Sequence, residues 1–186
     1  MKEICFVSSN ESKINEVTKH LEKFDIKVTG KYFEVPEIDY YNQETISRAK
    51  ATAACKEFNE PLIVEDTGIY FSAYKNFPGV RTRFVIRGIG YEGIFRLLAG
   101  KDRRAEFVTI VSYCSPDSSP ISFTGKCRGT ITEEVRGKTE EKLPYDAIFI
   151  PDGDKRTFVE MTKEEKAKYS HRAKALEEFA KWFNQR

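Results

Sequence analysis

ICFVSSNESKINEVTKHL, from Ile4 to Leu21, changes its structural period partway along. Ile4 to Val7 is a short apolar run, Ser8-Ser9-Asn10 is small and polar, and Ile14, Val17, Leu21 and then Phe24 recur at helical spacing. This predicts strand, polar turn, helix. The pattern repeats further on. Ile26–Val28 and Tyr32–Val35 predict strands, the second stopped by Pro36. A helix is predicted over Glu44–Phe58, its thin apolar face made of Ile46, Ala49, Ala53 and Ala54. A strand over Leu62–Val64 then delivers Glu65-Asp66-Thr67-Gly68 as a turn. Gly88–Leu98 suits an amphipathic helix, Ala105–Tyr113 and Ile121–Val135 supply an antiparallel hairpin, and Ile148–Ile150 is another strand. Arg172–Phe183 is a last helix with a stripe of Leu176, Phe179, Ala180 and Phe183. Alternation early and clustered strands in the middle predict an α/β protein built on a mixed sheet.

Composition supports one domain over residues 1–186. The chain has 40% apolar residues and 14 phenylalanines, enough for a core that needs no disulfide or metal staple. No apolar run approaches the ~18 residues of a membrane span, and Met1-Lys2-Glu3 leads directly into a strand rather than a signal peptide, so a cytoplasmic protein is expected. Cys5, Cys55, Cys114 and Cys127 lack metal-knot spacing and read as reduced thiols; with only His20 and His171 besides, a histidine-rich metal site is excluded. A net charge of +2 gives no reason to expect a nucleic-acid polymer as partner.

Three polar clusters stand where predicted strands stop, the usual place for ligands in open α/β sheets. Ser8, Ser9, Asn10 and Lys13 form a turn whose backbone N–H groups and lysine suit a phosphate; an ordinary N-cap with an exposed lysine is the competing reading. Glu65 and Asp66 are adjacent acids that repel unless a cation such as Mg²⁺ is shared, or they are a plain surface turn. Glu37 is a third acid that periodicity does not place. Lys166, Ser170, His171 and Arg172 are a basic group at a helix entrance, where an anion is needed to offset their repulsion from the dipole; otherwise they are a capped helix start. Gly125, Gly129 and Gly137 read as structural glycines, and Cys5 and Cys127 as small buried hydrophobes.

Taken together, Ser8-Ser9-Asn10 with Lys13 and Glu16, Pro36-Glu37, Lys50, Glu65-Asp66-Thr67-Gly68, Phe77-Pro78-Gly79, Tyr145-Asp146, Phe158, Glu160, Lys166 and Ser170-His171-Arg172 resemble the inosine triphosphate pyrophosphatase family, from residue 3 to about residue 183. The resemblance implies an elongated mixed sheet with flanking helices, two lobes forming a central nucleotide cleft, and a homodimer. It implies Mg²⁺-dependent cleavage of ITP, dITP or XTP to the monophosphate and pyrophosphate. Carried over by position, Ser8, Ser9, Asn10, Lys13 and Lys50 would meet the phosphates, Glu37, Glu65 and Asp66 the metal, and Asp66 would act as general base. Thr67, Leu143, Pro144, Tyr145, Asp146, Lys166, His171 and Arg172 would surround the base and ribose.

Two departures qualify the resemblance. Lys142-Leu143-Pro144-Tyr145-Asp146-Ala147 stands where the family has a glycine-rich segment with an aromatic ring, so the base platform loses its stacking component. Arg81-Thr82-Arg83 is more basic than expected. The alternatives are a pyrophosphatase for other modified triphosphates, or a catalytically silent nucleotide-binding module; retention of Asp66 beside Glu65 argues against silence.

Overall fold

The computed structural model describes residues 1–34, 42–139 and 143–186. The predicted strand, turn and helix appear as β1 (Lys2–Val7) and α1 (Glu11–Glu22), with Asn10 as the N-cap between them. β2 (Ile26–Lys31) returns parallel to β1, in the register Lys2↔Ile26 to Val7↔Lys31. That register carries the strand through Lys31, so Tyr32–Glu34 lie outside it, contrary to the strand expected there; Val35 falls outside the described residues. α2 (Gln43–Phe58) follows, capped by the Asn42 side chain on Thr45 N.

β3 (Leu62–Phe71) corrects the sequence reading most. The predicted strand was to stop at Val64, yet Glu65, Asp66, Thr67 and Gly68 are strand residues. Polar residues resemble a turn when their partners lie far away in the chain, and here distant partners keep the strand extended. β4 (Pro78–Gly79) pairs antiparallel with β3, and α3 (Thr82–Leu97) begins earlier than its apolar pattern suggested, with a kink at Gly90 (φ 64°). β5 (Arg104–Cys114) and β6 (Ile121–Ile131) are joined by residues 115–120, too short for a parallel crossover, so they form the expected antiparallel pair. β7 (Phe149–Pro151) pairs antiparallel with β6, and α4 (Lys163–Tyr169) and α5 (His171–Asn184) end the chain. Ser170 stands between the last two helices, so Lys166 sits on a helix of its own rather than at the entrance of α5. The strand order is β2-β1-β3-β5-β6-β7, with β4 on β3: a mixed sheet, as expected.

The chain divides into two compact units. The first comprises Met1–Asp66, Thr109–Gly125 and Arg172–Arg186. One of its cores joins Ile4, Phe6, Val17, Leu21 and Ile63 to the predicted α5 stripe, with Leu176, Phe179 and Ala180 buried and Phe183 packed against them. A second joins Cys5, Val7 and Val64 to Ala51, Ala54 and Cys55 of α2. The other unit, Thr67–Val108 and Lys126–His171, is centred on Phe71, Ile94, Phe107, Phe149 and Phe158. All four cysteines are buried and none is in a disulfide, and burial pushes the Cys5 thiol up to about 12. Among the described residues no helix is long and apolar enough to cross a membrane.

Gly129 has a structural reason to be glycine, because β7 passes so close that an added methyl would collide with the Ile150 carbonyl and lie 2.6 Å from the Phe149 ring. Gly88, inside α3, has nothing within 4 Å of the same position. Denaturant unfolding should show Gly129→Ala losing about 2 kcal/mol or more through overpacking, and Gly88→Ala gaining roughly 0.5–1 kcal/mol through helix propensity.

Candidate active site

The turn after β1 is built from its own side chains. Asn10 Oδ1 accepts from the backbone N–H of Ser12 at 3.0 Å and Lys13 at 3.4 Å, and Asn10 N donates to Ser8 Oγ at 3.1 Å. Asn10 is buried, and its Nδ2 has no hydrogen-bond partner among the described residues, so the turn offers a spare donor where the helix end favours an anion. Lys13, one turn into α1, is no solvated lysine: its Nζ lies 2.6 Å from Glu65 Oε1.

Successive strand residues point to opposite faces, so Glu65 and Asp66 cannot act as one chelating pair from adjacent positions. Glu65 keeps 1% of its side chain exposed. Arg172 Nε donates to its Oε2 at 2.5 Å and Arg172 Nη2 to its Oε1 at 3.2 Å, while Arg172 Nη1 reaches Glu16 Oε2 at 2.7 Å. A chain of four charges, Lys13–Glu65–Arg172–Glu16, thus ties β3 to α1 and α5. Burial pushes the Glu65 carboxyl up, but Arg172 and Lys13 together outweigh it and hold the group far below the usual carboxylate range. The anion that sequence reasoning required near Arg172 is supplied by the protein's own carboxylates.

Asp66 has different partners. Its Oδ1 takes Lys50 Nζ at 2.7 Å, its backbone carbonyl accepts from Gln43 Nε2 at 2.9 Å, and its Oδ2 is buried with no hydrogen-bond partner among the described residues. A buried carboxylate oxygen left without a partner costs about 1–3 kcal/mol, so this atom is suited to a ligand. Among the described residues no three acidic, histidine or cysteine side chains are grouped to hold a metal. Mg²⁺ needs few, since it keeps waters and takes substrate phosphates as ligands, and a hard, unpartnered carboxylate oxygen fits it. Glu65 fits less well, because both of its oxygens are engaged. Glu37 lies outside the described residues.

The expected base-recognising residues divide between the units. In the second unit Asp146 sits in a 3₁₀ turn (Pro144–Ala147), and its Oδ2 meets Lys166 Nζ at 2.5 Å. Lys166 also lies 5.3 Å from the centroid of the Phe158 ring. Tyr145 is buried and donates to Thr82 O at 3.3 Å, and Tyr91 donates to the Pro144 carbonyl at 2.8 Å, so the turn that follows Leu143 is pinned. The His171 ring stacks on Phe107, with centroids 4.5 Å apart and an interplanar angle of 9°. Thr67 is a half-buried residue of β3. Arg172 belongs to the first unit, on Glu65 and Glu16.

Sequence reasoning gave no role to Glu16, Gln43 or Ser47. Each carried a signal: Glu16 is three residues from Lys13 on one helix face, and Gln43, Ser47 and Lys50 recur at i, i+4, i+7.

Fold and site define a mixed-sheet α/β protein with an anion-ready helix start beside a charge-locked acidic strand. Known proteins with this chain pattern narrow the class. The Ham1 family profile matches residues 4–182. A protein of Methanopyrus kandleri named dITP/XTP pyrophosphatase is 42% identical over 97% of this chain and 95% of its own length. One of the same name from Thermococcus kodakarensis is 38% identical over 98% and 97%. The solved structure of a HAM1 protein from Coxiella burnetii superposes with a TM-score of 0.81 at 28% identity, covering all of both chains. The chain belongs to the Ham1 family, as its motifs suggested.

Glu65→Gln would strand two cations against a neutral amide, and equilibrium unfolding at pH 7 should show a loss of about 3–5 kcal/mol. A carboxyl held low stabilises the fold above its unfolded value of 4.5 and loses that contribution as pH falls below it. The gap between wild type and variant should therefore narrow as pH drops under 4.5.

Proposed function

We propose that this chain hydrolyses non-canonical purine nucleoside triphosphates, dITP, ITP and XTP, to the monophosphate and pyrophosphate, with Mg²⁺ as cofactor. The observation that carries the reading is Asp66: gripped at Oδ1 and at its carbonyl, with Oδ2 buried and unpartnered among the described residues. The names of the full-length relatives supply the substrate class. A homodimer in the cytoplasm belongs to the same proposal.

A triphosphate carries about four negative charges, so its hydrolysis depends on charge neutralisation and positioning. The Asn10 turn and Lys13 receive phosphate oxygens, the N–H groups by direction and the ammonium as a point charge. Lys13 would then exchange part of its pairing with Glu65 for phosphate, while Arg172 keeps Glu65 compensated. Asp66 accepts the proton of the water whose oxygen bonds to phosphorus as the α–β anhydride breaks and pyrophosphate leaves. Lys50, on Asp66 Oδ1, fixes which oxygen faces that water. Mg²⁺ held by Asp66 would offset phosphate charge and make the water easier to deprotonate.

Base selection is proposed for Lys166 and Asp146. An ammonium donor suits a 6-keto oxygen, and adenine would set its own amine against that donor, leaving a buried donor unpaired at roughly 1–3 kcal/mol. Leu143 gives apolar cover without ring stacking.

In the presence of Mg²⁺, pyrophosphate release should be much faster from dITP, ITP and XTP than from ATP; equal rates on all four refute the base selection. Asp66→Asn should lower kcat by about 10²–10⁴, the range of a general base, with nucleotide binding still measurable by calorimetry. Full turnover by that variant removes Asp66 from the chemistry.

A further inference from the structure

α2 presents a polar stripe to the sheet. Gln43, Ser47 and Lys50 stand at i, i+4 and i+7, one face of the helix, and each reaches a strand. Gln43 Nε2 donates to the Asp66 carbonyl at 2.9 Å, Ser47 Oγ to the Ile110 carbonyl at 3.2 Å with Ser112 Oγ 2.8 Å away, and Lys50 Nζ meets Asp66 Oδ1 at 2.7 Å. Gln43 and Ser47 are buried, in a helix whose other buried residues are Ile46, Ala51, Ala54 and Cys55. A core needs no amide there. A buried glutamine costs rotamer freedom and desolvation that leucine would avoid, so its presence calls for a role beyond packing.

We propose that Gln43 is a positioning residue for the reaction: it fixes the Asp66 peptide from the backbone side while Lys50 fixes the carboxylate from the side-chain side. One rigid helix thereby holds Asp66 at both ends and aims Oδ2. The Gln43 bond holds the Asp66 carbonyl, and Ser47 anchors the helix against β5 midway between the two grips. The inference rests on the hydrolytic reading above and deepens it by adding a residue that never touches substrate.

A double-mutant cycle tests it. Gln43→Met keeps the volume and removes the donor; Gln43→Asn keeps the amide but withdraws it by one methylene, and serves if the first variant folds poorly in a thermal melt. Measured on the nucleotide that wild type hydrolyses best, kcat should fall about tenfold or more, because displacement of a reacting group by a fraction of an ångström is costly, while KM stays within about twofold. In the Asp66→Asn background, followed with enzyme in excess, the same substitution should change the residual rate by less than about twofold, since its effect passes through Asp66. An equal fold-loss in both backgrounds, or no loss in either, overturns the inference while hydrolysis by wild type leaves the functional reading intact. A wild-type chain that releases no pyrophosphate from any triphosphate overturns that reading and this inference with it.

Discussion

A carboxylate nearly sealed from water, Glu65, sets the constraint that the first unit is organised around. Burying one ionised carboxylate costs several kcal/mol even after relaxation, and the cost is offset only because Lys13 and Arg172 arrive from α1 and α5 at hydrogen-bonding distance. Residues separated by more than a hundred positions must converge for Glu65 to be buried as an anion. Glu16 completes the chain by neutralising the charge that Arg172 leaves over. The network therefore acts as a structural clamp at neutral pH and presents Lys13 at the mouth of the Asn10 turn.

Alternation along β3 divides the labour of its two acids. Side chains of period two send Glu65 toward the cations of α1 and α5 and Asp66 toward α2. The first is saturated; the second keeps an oxygen in reserve. One strand thus carries a structural carboxylate and, in the proposed reaction, a reactive one at adjacent positions, and their separation by face gives each its own cation partners.

Periodic apolar patterns made much of the fold legible. The strand and helix around Ser8-Ser9-Asn10 and the α5 stripe of Leu176, Phe179 and Ala180 stand as read, because burial by hydrophobic spacing is a local property of sequence. The turn expected at Thr67-Gly68 failed for the opposite reason: Glu65-Asp66-Thr67-Gly68 is polar and turn-like by composition, and neighbouring strands together with partners such as Arg172, from other parts of the chain, make it strand. Lys13, Lys50, Glu65 and Asp66 could be named as a set from motif resemblance, yet which cation meets which acid follows from face and helix register alone. Gln43 and Ser47 went unread because polar residues on a thin alanine face look like its solvent side until the strands beneath are in place.

A crystal structure with Mg²⁺ and a triphosphate analogue whose α–β bridge resists hydrolysis tests the division between the two acids most directly. The metal should lie on the Asp66 side, reached through water held by Oδ2, with the Glu65–Arg172 pair intact and Lys13 turned toward phosphate. A metal bound through Glu65, with Arg172 displaced onto the substrate, would contradict it.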